Sequence, residues 1–449
     1  MKKKNILLYI TDQQRADTCG CYGQELPITP VLDQLAAEGT RFDLAFTPQP
    51  VCGPCRAMFQ TGKWATDIGC FRNNIMLPAN VKPLGAYMEE AGYETAYVGK
   101  WHLASDGELE KKPTIDHTVT AIPRELRGGY TGFWRTSDVL EFTSHGFMFD
   151  ENDNRIDFTG YRVDCITDFA LEFLEQYRGE KPFFMTVSHI EPHHQNDHHH
   201  YEGPIGSKEK YANFTSPKDL EALGGNHREE YPDYLGQCAS LDKNLGRLVN
   251  KLKEMGIYED TVIIYLADHG SHFMTRNLDA HLNGYDDYKR SMHDACLRVP
   301  LVVTGGEFTG GGVVTDLIST AGLPKTILGI AGVDVGDKMI GEDFADVLHK
   351  TDPDRPNEVF AQISESRVGR AIRTADYAYS VYAPGINGGA QPAADLYADD
   401  FFYDLKKDPY ELNNLIDDPA YTQVKQELRK KLLKWIHLAE NAEPEIVDG

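Results

Sequence analysis

Short apolar runs alternate along this chain with stretches whose apolar residues recur at helical spacing. Ile6, Leu7, Leu8, Tyr9 and Ile10 form a first run, followed directly by Thr11, Asp12, Gln13, Gln14 and Arg15. It reads as a buried strand that delivers polar side chains at its C-terminal end, where open α/β sheets collect their ligands. Further strands are expected over residues 95–98, 183–187, 261–266 and 299–303. Helices are expected over residues 30–38 (Thr29 at the cap, Pro30 in the first turn, Gly39 at the stop), 54–59, 83–91, 163–177, 234–255 and most of 316–331. Leu241, Leu245, Leu248 and Leu252 make the core stripe of one of them. Strands alternating with helices predict an α/β sandwich around a largely parallel sheet.

Two stretches interrupt this rhythm. Residues 105–159 are polar, rich in glycine and poorly periodic, which predicts an insertion of loops and short strands. Residues 189–226 are rich in histidine and tyrosine and read as a long loop of the kind that usually carries function. Beyond about residue 345 the pattern changes to short strands over 358–363, 371–373 and 377–382, a small antiparallel sheet, closed by an amphipathic helix over 421–440. The expected division is a catalytic α/β domain over residues 1–345 and a smaller C-terminal subdomain over 346–449.

Charge narrows the partners. With 69 acidic against 45 basic residues the formal charge is -24, which repels nucleic acid and anionic membranes, so neither is an expected partner. An anionic ligand would need a local concentration of Lys, Arg, His or metal. No apolar run approaches membrane-spanning length, and the run after Lys2, Lys3 and Lys4 is shorter than a signal peptide's. Eight cysteines (Cys19, Cys21, Cys52, Cys55, Cys70, Cys165, Cys238 and Cys296) without an export signal lead us to expect reduced thiols in a cytoplasm.

The chemistry concentrates around Cys52-Gly53-Pro54-Cys55-Arg56, followed by Thr61-Gly62. Cys52 and Cys55 alone have the spacing of a redox dithiol, in which a thiolate at a helix N-terminus attacks and its partner resolves. Read at full length, the pattern is Cys-x-Pro-x-Arg, four residues, then Thr-Gly. Three other places along the chain carry polar clusters: Asp12-Gln13, Gly99-Lys100-Trp101-His102-Leu103 and Asp268-His269-Gly270. Pro192-His193 follows an expected strand, Lys289 precedes Asp294 by five residues, and Tyr403-Asp404-Leu405 leads to Asp408-Pro409 and Glu411-Leu412-Asn413. In order and spacing this set resembles the formylglycine-dependent sulfatases of the alkaline phosphatase superfamily, over nearly the whole chain.

The resemblance implies an alkaline-phosphatase-like α/β/α sandwich and hydrolysis of a sulfate monoester of a sugar, aryl or steroid alcohol. It implies that a maturation enzyme converts Cys52 to formylglycine, reading Pro54, Arg56, Thr61 and Gly62, and that Arg56 also holds the hydrate. Sulfate-ester cleavage needs a nucleophile for sulfur, neutralisation of the sulfuryl oxygens and a proton for the leaving oxygen. By resemblance, Lys100 and Lys289 hold sulfate oxygens, His102 stands beside the hydrate and His193 near the leaving oxygen. Asp12, Gln13, Asp268 and His269 match the positions of the family's metal ligands, which implies Ca2+. Gln13 and His269 lower the negative charge below the commoner pattern, which keeps Mn2+ as the alternative. Cys55 stands where the family often has Ser, so it reads as a small packing residue. His194, with Gln195, Asn196, Asp197 and His198 to His200, and also His272, are candidates to touch substrate. A phosphonate or phosphate ester hydrolase of the same superfamily is the alternative within enzymes, because some members share an Asp-Gln pair like Asp12-Gln13.

Overall fold

Successive side chains of a strand point to opposite faces, and that alternation places the core on both sides of one sheet. In the computed structural model, which describes residues 3–105, 116–140, 142–195, 198–276 and 288–449, Ile6, Leu8 and Ile10 pack into one apolar cluster with Phe184, Ile264 and Leu266. Their neighbours Leu7 and Tyr9 pack into another with Met185, Val187, Ile263 and Tyr265, against Leu241, Leu245, Leu248 and Leu252. These four leucines are fully buried and line the helix His227–Glu254, which starts seven residues before the expected 234.

The strands are β1 (Asn5–Thr11), β2 (Thr40–Phe46), β3 (Glu94–Lys100), β4 (Phe133–Ser137), β5 (His145–Asp150), β6 (Arg155–Thr159), β7 (Phe183–Ser188), β8 (Thr261–Ala267), β9 (Leu301–Thr304) and β10 (Gly312–Ser319). They form one sheet in the order β10-β2-β9-β8-β1-β7-β3-β4-β5-β6. The centre is parallel, as expected, but β9 runs against both β8 and β2, and β5 against both β4 and β6, so the sheet is mixed. One other expectation is corrected and one is narrowed. The described part of residues 105–159 is no separate insertion, since β4 pairs in parallel with β3 and carries β5 and β6 onto the sheet edge. Residues 316–331 are mostly helical, but the helix starts late: β10 runs to Ser319, a 3-10 turn follows over Thr320–Gly322, and the α-helix is Leu323–Ile330.

A second sheet is built from β11 (Glu358–Ile363), β12 (Gly369–Thr374), β13 (Tyr377–Tyr382), β14 (Leu396–Asp404) and β15 (Glu445–Val447), antiparallel except for the last pair. The helix Thr422–Glu440 lays Leu428, Leu432 and Ile436 on it. That cluster takes in Met58 and Trp64 as well, so the helix Cys52–Thr61 is covered by the central core on one side and by the second sheet on the other. All ten of its residues are buried, and it stops at Gly62, whose φ of 60° is the left-handed turn expected there. None of the described helices is long and apolar enough to cross a membrane.

Register brings the chemistry to one edge. Ile10 lies beside Ser188, Thr11 beside Ala267 and Gly99 beside Ser188, so Asp12, Asp268, Lys100 and the segment after Ser188 all leave the sheet together. Gly99 permits the close approach of β3 to β7: its φ is 106°, and a Cβ there would stand 2.0 Å from the Ser188 carbonyl oxygen. Gly99→Ala is expected to cost about 1–3 kcal/mol for the left-handed backbone alone, with the clash added. A thermal midpoint unchanged from wild type would show that β3 and β7 do not need this contact.

Candidate active site

The first turn of the helix Cys52–Thr61 points at that edge, fixed by Asn73, whose Oδ1 accepts the Gly53 N–H at 2.8 Å. One turn in, Arg56 is 2% exposed and its guanidinium spans three strand ends. Nη2 donates to Asp12 Oδ2 at 3.1 Å, Nε to Asp268 Oδ2 at 3.2 Å and Nη1 to Ser188 Oγ at 2.6 Å. Lys100 Nζ adds a contact to Asp12 Oδ2 at 2.8 Å. The outer oxygens of both carboxylates are therefore taken by cations.

The inner oxygens converge. His269 Nε2 lies 3.6 Å from Asp12 Oδ1 and 3.6 Å from Asp268 Oδ1, and Cys52 Sγ lies 3.4 Å from Asp12 Oδ1 and 3.2 Å from His269 Nε2. One atom from each of Asp12, Cys52, Asp268 and His269 falls within 4.8 Å of all the others, fully buried. His269 Nδ1 lies 3.0 Å from the Gly270 carbonyl oxygen; a proton held there leaves the Nε2 lone pair facing the carboxylates, the arrangement of a metal-binding imidazole. Gln13 closes the group with a φ of 67°, its amide donating to Asp268 Oδ1 at 3.1 Å while Tyr234 Oη donates to its carbonyl at 2.7 Å. Two buried carboxylates and an imidazole suit a divalent cation, and Asp12, Asp268 and His269 are the residues that could hold it, while Gln13, the fourth residue expected there, adjoins them through its backbone and turns its Oε1 to the His194 amide.

The carboxyl groups behave as a pair crowded by like charge. Burial and a Cys52 thiolate push the Asp12 carboxyl up, but Lys100, His193 and Arg56 outweigh them and hold it below the ordinary range. Asp268 is raised instead, by burial and then by the charge on Asp12. Burial also disfavours the Arg56 cation, yet Asp268 and Asp12 keep it firmly charged.

Cys52 is the focus of a second ring. Lys289 Nζ lies 3.3 Å from its sulfur, and His102 and His193 stand close enough for their titration to depend on it. Burial alone raises the thiol, but Lys100, Lys289 and His269, with His102, hold it well below the ordinary range. The histidines move the other way: burial and Lys100 lower His102, and burial and Lys289 lower His193. Cys55, three residues on, faces away: its thiol donates to the Asp268 carbonyl at 3.2 Å, and burial raises its pKa well above the usual thiol value. That environment suits a packing residue and not the resolving partner of a dithiol.

His194 and His272 lie apart from this ring. The His194 ring packs 4.4 Å from Tyr288 and 5.3 Å from Tyr201 between centroids, and its amide donates to Gln13 Oε1 at 3.2 Å. His272 is buried, its amide donating to the Tyr288 carbonyl at 2.8 Å. Gln195 is buried and His198 to His200 lie toward the surface, while Asn196 and Asp197 lie outside the described residues. Sequence reasoning missed the residues that position the others. Ser188 passes the Arg56 contact on to the Lys100 carbonyl at 2.8 Å, and Glu365 from the second sheet's loop accepts from the Asn73 amide at 3.1 Å and Arg290 Nη2 at 2.6 Å. Ser188 could have been found as the last residue of a strand beside Gly99; nothing local marks Asn73 or Glu365.

Against known proteins, the sulfatase family model matches residues 4–333. The chain belongs to the sulfatase family, within the alkaline phosphatase superfamily. A second model, for the C-terminal part of N-sulphoglucosamine sulphohydrolase, matches residues 283–437 of this sulfatase. An ulvan-active sulfatase of Formosa agariphila is 28% identical over 96% of this chain and 81% of its own. An N-acetylglucosamine-6-O-sulfatase of Bacteroides thetaiotaomicron is 26% identical over 96% of this chain and 86% of its own. The structure of BT4656 in complex with D-glucosamine-2-N,6-O-disulfate superposes with a TM-score of 0.76 at 22% identity, covering 99% of each chain.

The carboxylate pair generates a test. Asp268→Asn keeps the shape and removes one charge, and should lose the bound divalent ion and the activity together while the protein stays folded. Elemental analysis of the purified variant checks it, and an ion content equal to wild type would reject these ligands.

Proposed function

We propose that this sulfatase hydrolyses a sulfate monoester on a saccharide, with formylglycine made from Cys52 as nucleophile. The observation that carries the reading is the Cys52 side chain itself, buried where Lys100, Lys289, His102, His193 and His269 bear on one atom. Sγ stands in for the oxygens of the matured residue. As its hydrate, formylglycine supplies one hydroxyl to attack sulfur and a second whose collapse to the aldehyde releases sulfate; the divalent ion, Ca2+ in our reading, supplies positive charge for the sulfuryl oxygens.

The chain's own residues do the rest. Lys100 and Lys289 bring positive charge to the sulfuryl group, and Arg56 fixes the carboxylates and the helix that presents residue 52. His102, with a φ of 61°, is held against the nucleophile in a backbone shape favoured only where its surroundings impose it. His193 Nε2 lies 2.6 Å from Lys289 Nζ, and its Nδ1 contacts the His194 carbonyl. With Nδ1–H donating there, Nε2 accepts from the lysine ammonium, so the two share one proton and deliver it to the leaving oxygen as a unit. Saccharide is favoured by the relatives' substrates and by a polar cavity of about 210 Å3 lined by Arg276, Arg290, Arg367, His293, Asp400 and Asn414. Arg290 directly follows Lys289, so one segment serves both the cavity wall and the sulfate site.

Two measurements test this. Peptide mass spectrometry of active protein should show sulfur lost and carbonyl oxygen gained at residue 52; full activity with unmodified Cys52 would end the reading. A panel of sulfated sugars, with phosphate esters beside them, is assayed by released anion and should favour sulfate. On that panel His193→Ala separates roles, since a general acid contributes about a hundredfold to ten-thousandfold only where the leaving group needs a proton. Sugar sulfate cleavage should fall far more than 4-nitrophenyl sulfate cleavage, and equal losses in kcat would move His193 to sulfate binding.

A further inference from the structure

Outside the active site, another group of ligating side chains lies on the loop that follows His193. The chain doubles back there: the Gln195 amide donates to the His200 carbonyl at 3.0 Å, and the His198 amide to the Gln195 carbonyl at 3.3 Å. Beyond this turn His198, His200 and Glu202 stand at every second position, and one donor atom from each lies within 4.8 Å of the other two. His200 Nδ1 is 3.0 Å from the Tyr201 carbonyl oxygen; a proton held there leaves the Nε2 lone pair facing Glu202 Oε1 at 3.7 Å. His198 Nδ1 reaches the same carboxylate oxygen.

Glu202 is held from behind. Its second carboxylate oxygen takes the Thr143 hydroxyl, and its carbonyl takes Tyr161 Oη at 2.8 Å, so Oε1 is aimed at the two imidazoles. The imidazole side chains are 57% and 45% exposed, which opens the cluster to an ion from solution, unlike the buried group around Asp12. Two neutral imidazoles and one carboxylate are a donor set for borderline transition metals, whereas calcium and magnesium take most of their ligands from oxygen. An oriented His200, backed by a carbonyl, and an oriented Glu202, backed by a hydroxyl, add the outer contacts that such sites use to fix their ligands.

We propose that His198, His200 and Glu202 form a second metal site, for zinc or a similar divalent transition ion, distinct from the ion between Asp12 and Asp268. Three protein ligands leave a position for water, and no catalytic residue of the sulfatase site takes part. Bound there, the ion would fasten residues 198, 200 and 202 to one another, starting five residues beyond His193.

The test is zinc content by equilibrium dialysis and elemental analysis, on chelator-stripped wild type and on a His198→Ala/His200→Ala variant. Both substitutions are at the surface, and circular dichroism confirms the fold. Any zinc taken by the Asp12 cluster is common to the two proteins and cancels in the difference. The variant is expected to bind one zinc fewer per chain. Thr143→Val, which leaves all three ligands in place, should weaken that same zinc by about ten- to a hundredfold. Equal zinc in wild type and the double variant would overturn the proposal and leave a surface His198–Glu202 ion pair.

Discussion

A single buried guanidinium holds the active edge together. Arg56 ties the end of β1 through Asp12, the end of β8 through Asp268 and the end of β7 through Ser188. Each of those ends is buried, so each partner would be costly alone; removing one member of such a group costs about 3–5 kcal/mol because a charge is left uncompensated. Arg56 also divides the work between carboxylate oxygens. By occupying both Oδ2 atoms it turns both Oδ1 atoms toward His269 and Cys52. The direction of the two inner carboxylate oxygens is thus a consequence of an ion pair, and the ion pair is a consequence of where the helix Cys52–Thr61 begins.

That helix is placed by packing on two sides. Ala57 and Phe59 belong to the central core, and Met58 to the core of the second sheet. A helix buried all round has no solvent face on which to rotate, so Cys52 and Arg56, at positions i and i+4, keep their aim. The second sheet then does more than cover a surface. Its Glu365 reaches Arg290 and Asn73, and Asn73 caps the amide next to Cys52. The same loop that borders the polar cavity therefore also steadies the helix turn that carries Cys52.

Much of this was legible in the sequence because the central strands are buried on both faces and read as continuous apolar runs. Each of β1, β3 and β8 ends where a polar cluster begins, so Asp12, Lys100 and Asp268 could be assigned to one edge without coordinates. The failures have physical causes as well. In β10 the pairing with β2 shifts between Val314 and Leu317, and such an irregularity breaks the alternation that would have marked a strand as far as Ser319. β14 carries Asp399 and Asp400 in its middle, which hides a strand from any apolar pattern; Arg429 pairs with the first and Arg367 with the second. Ser188, Asn73 and Glu365 act through single hydrogen bonds to distant segments, and no local periodicity encodes a partner far away in sequence.

The overall charge of -24 makes the chain a poor host for an anion, and the active edge reverses that locally. Arg56, Lys100 and Lys289 stand against Asp12 and Asp268, three positive charges and two negative, before any ion is counted. A divalent cation on the Oδ1 atoms would raise the local excess from one to three, and all of it lies in buried surroundings where charges are screened less than at the surface. Exposed charges on the acidic surface are screened by salt over roughly 8 Å at physiological ionic strength, whereas the buried charges at this edge are screened much less. Global acidity and local anion binding therefore answer to different screening. The carboxylates cannot be dispensed with to raise the excess further, because Asp12 and Asp268 anchor Arg56, and Asp12 anchors Lys100, at the buried edge.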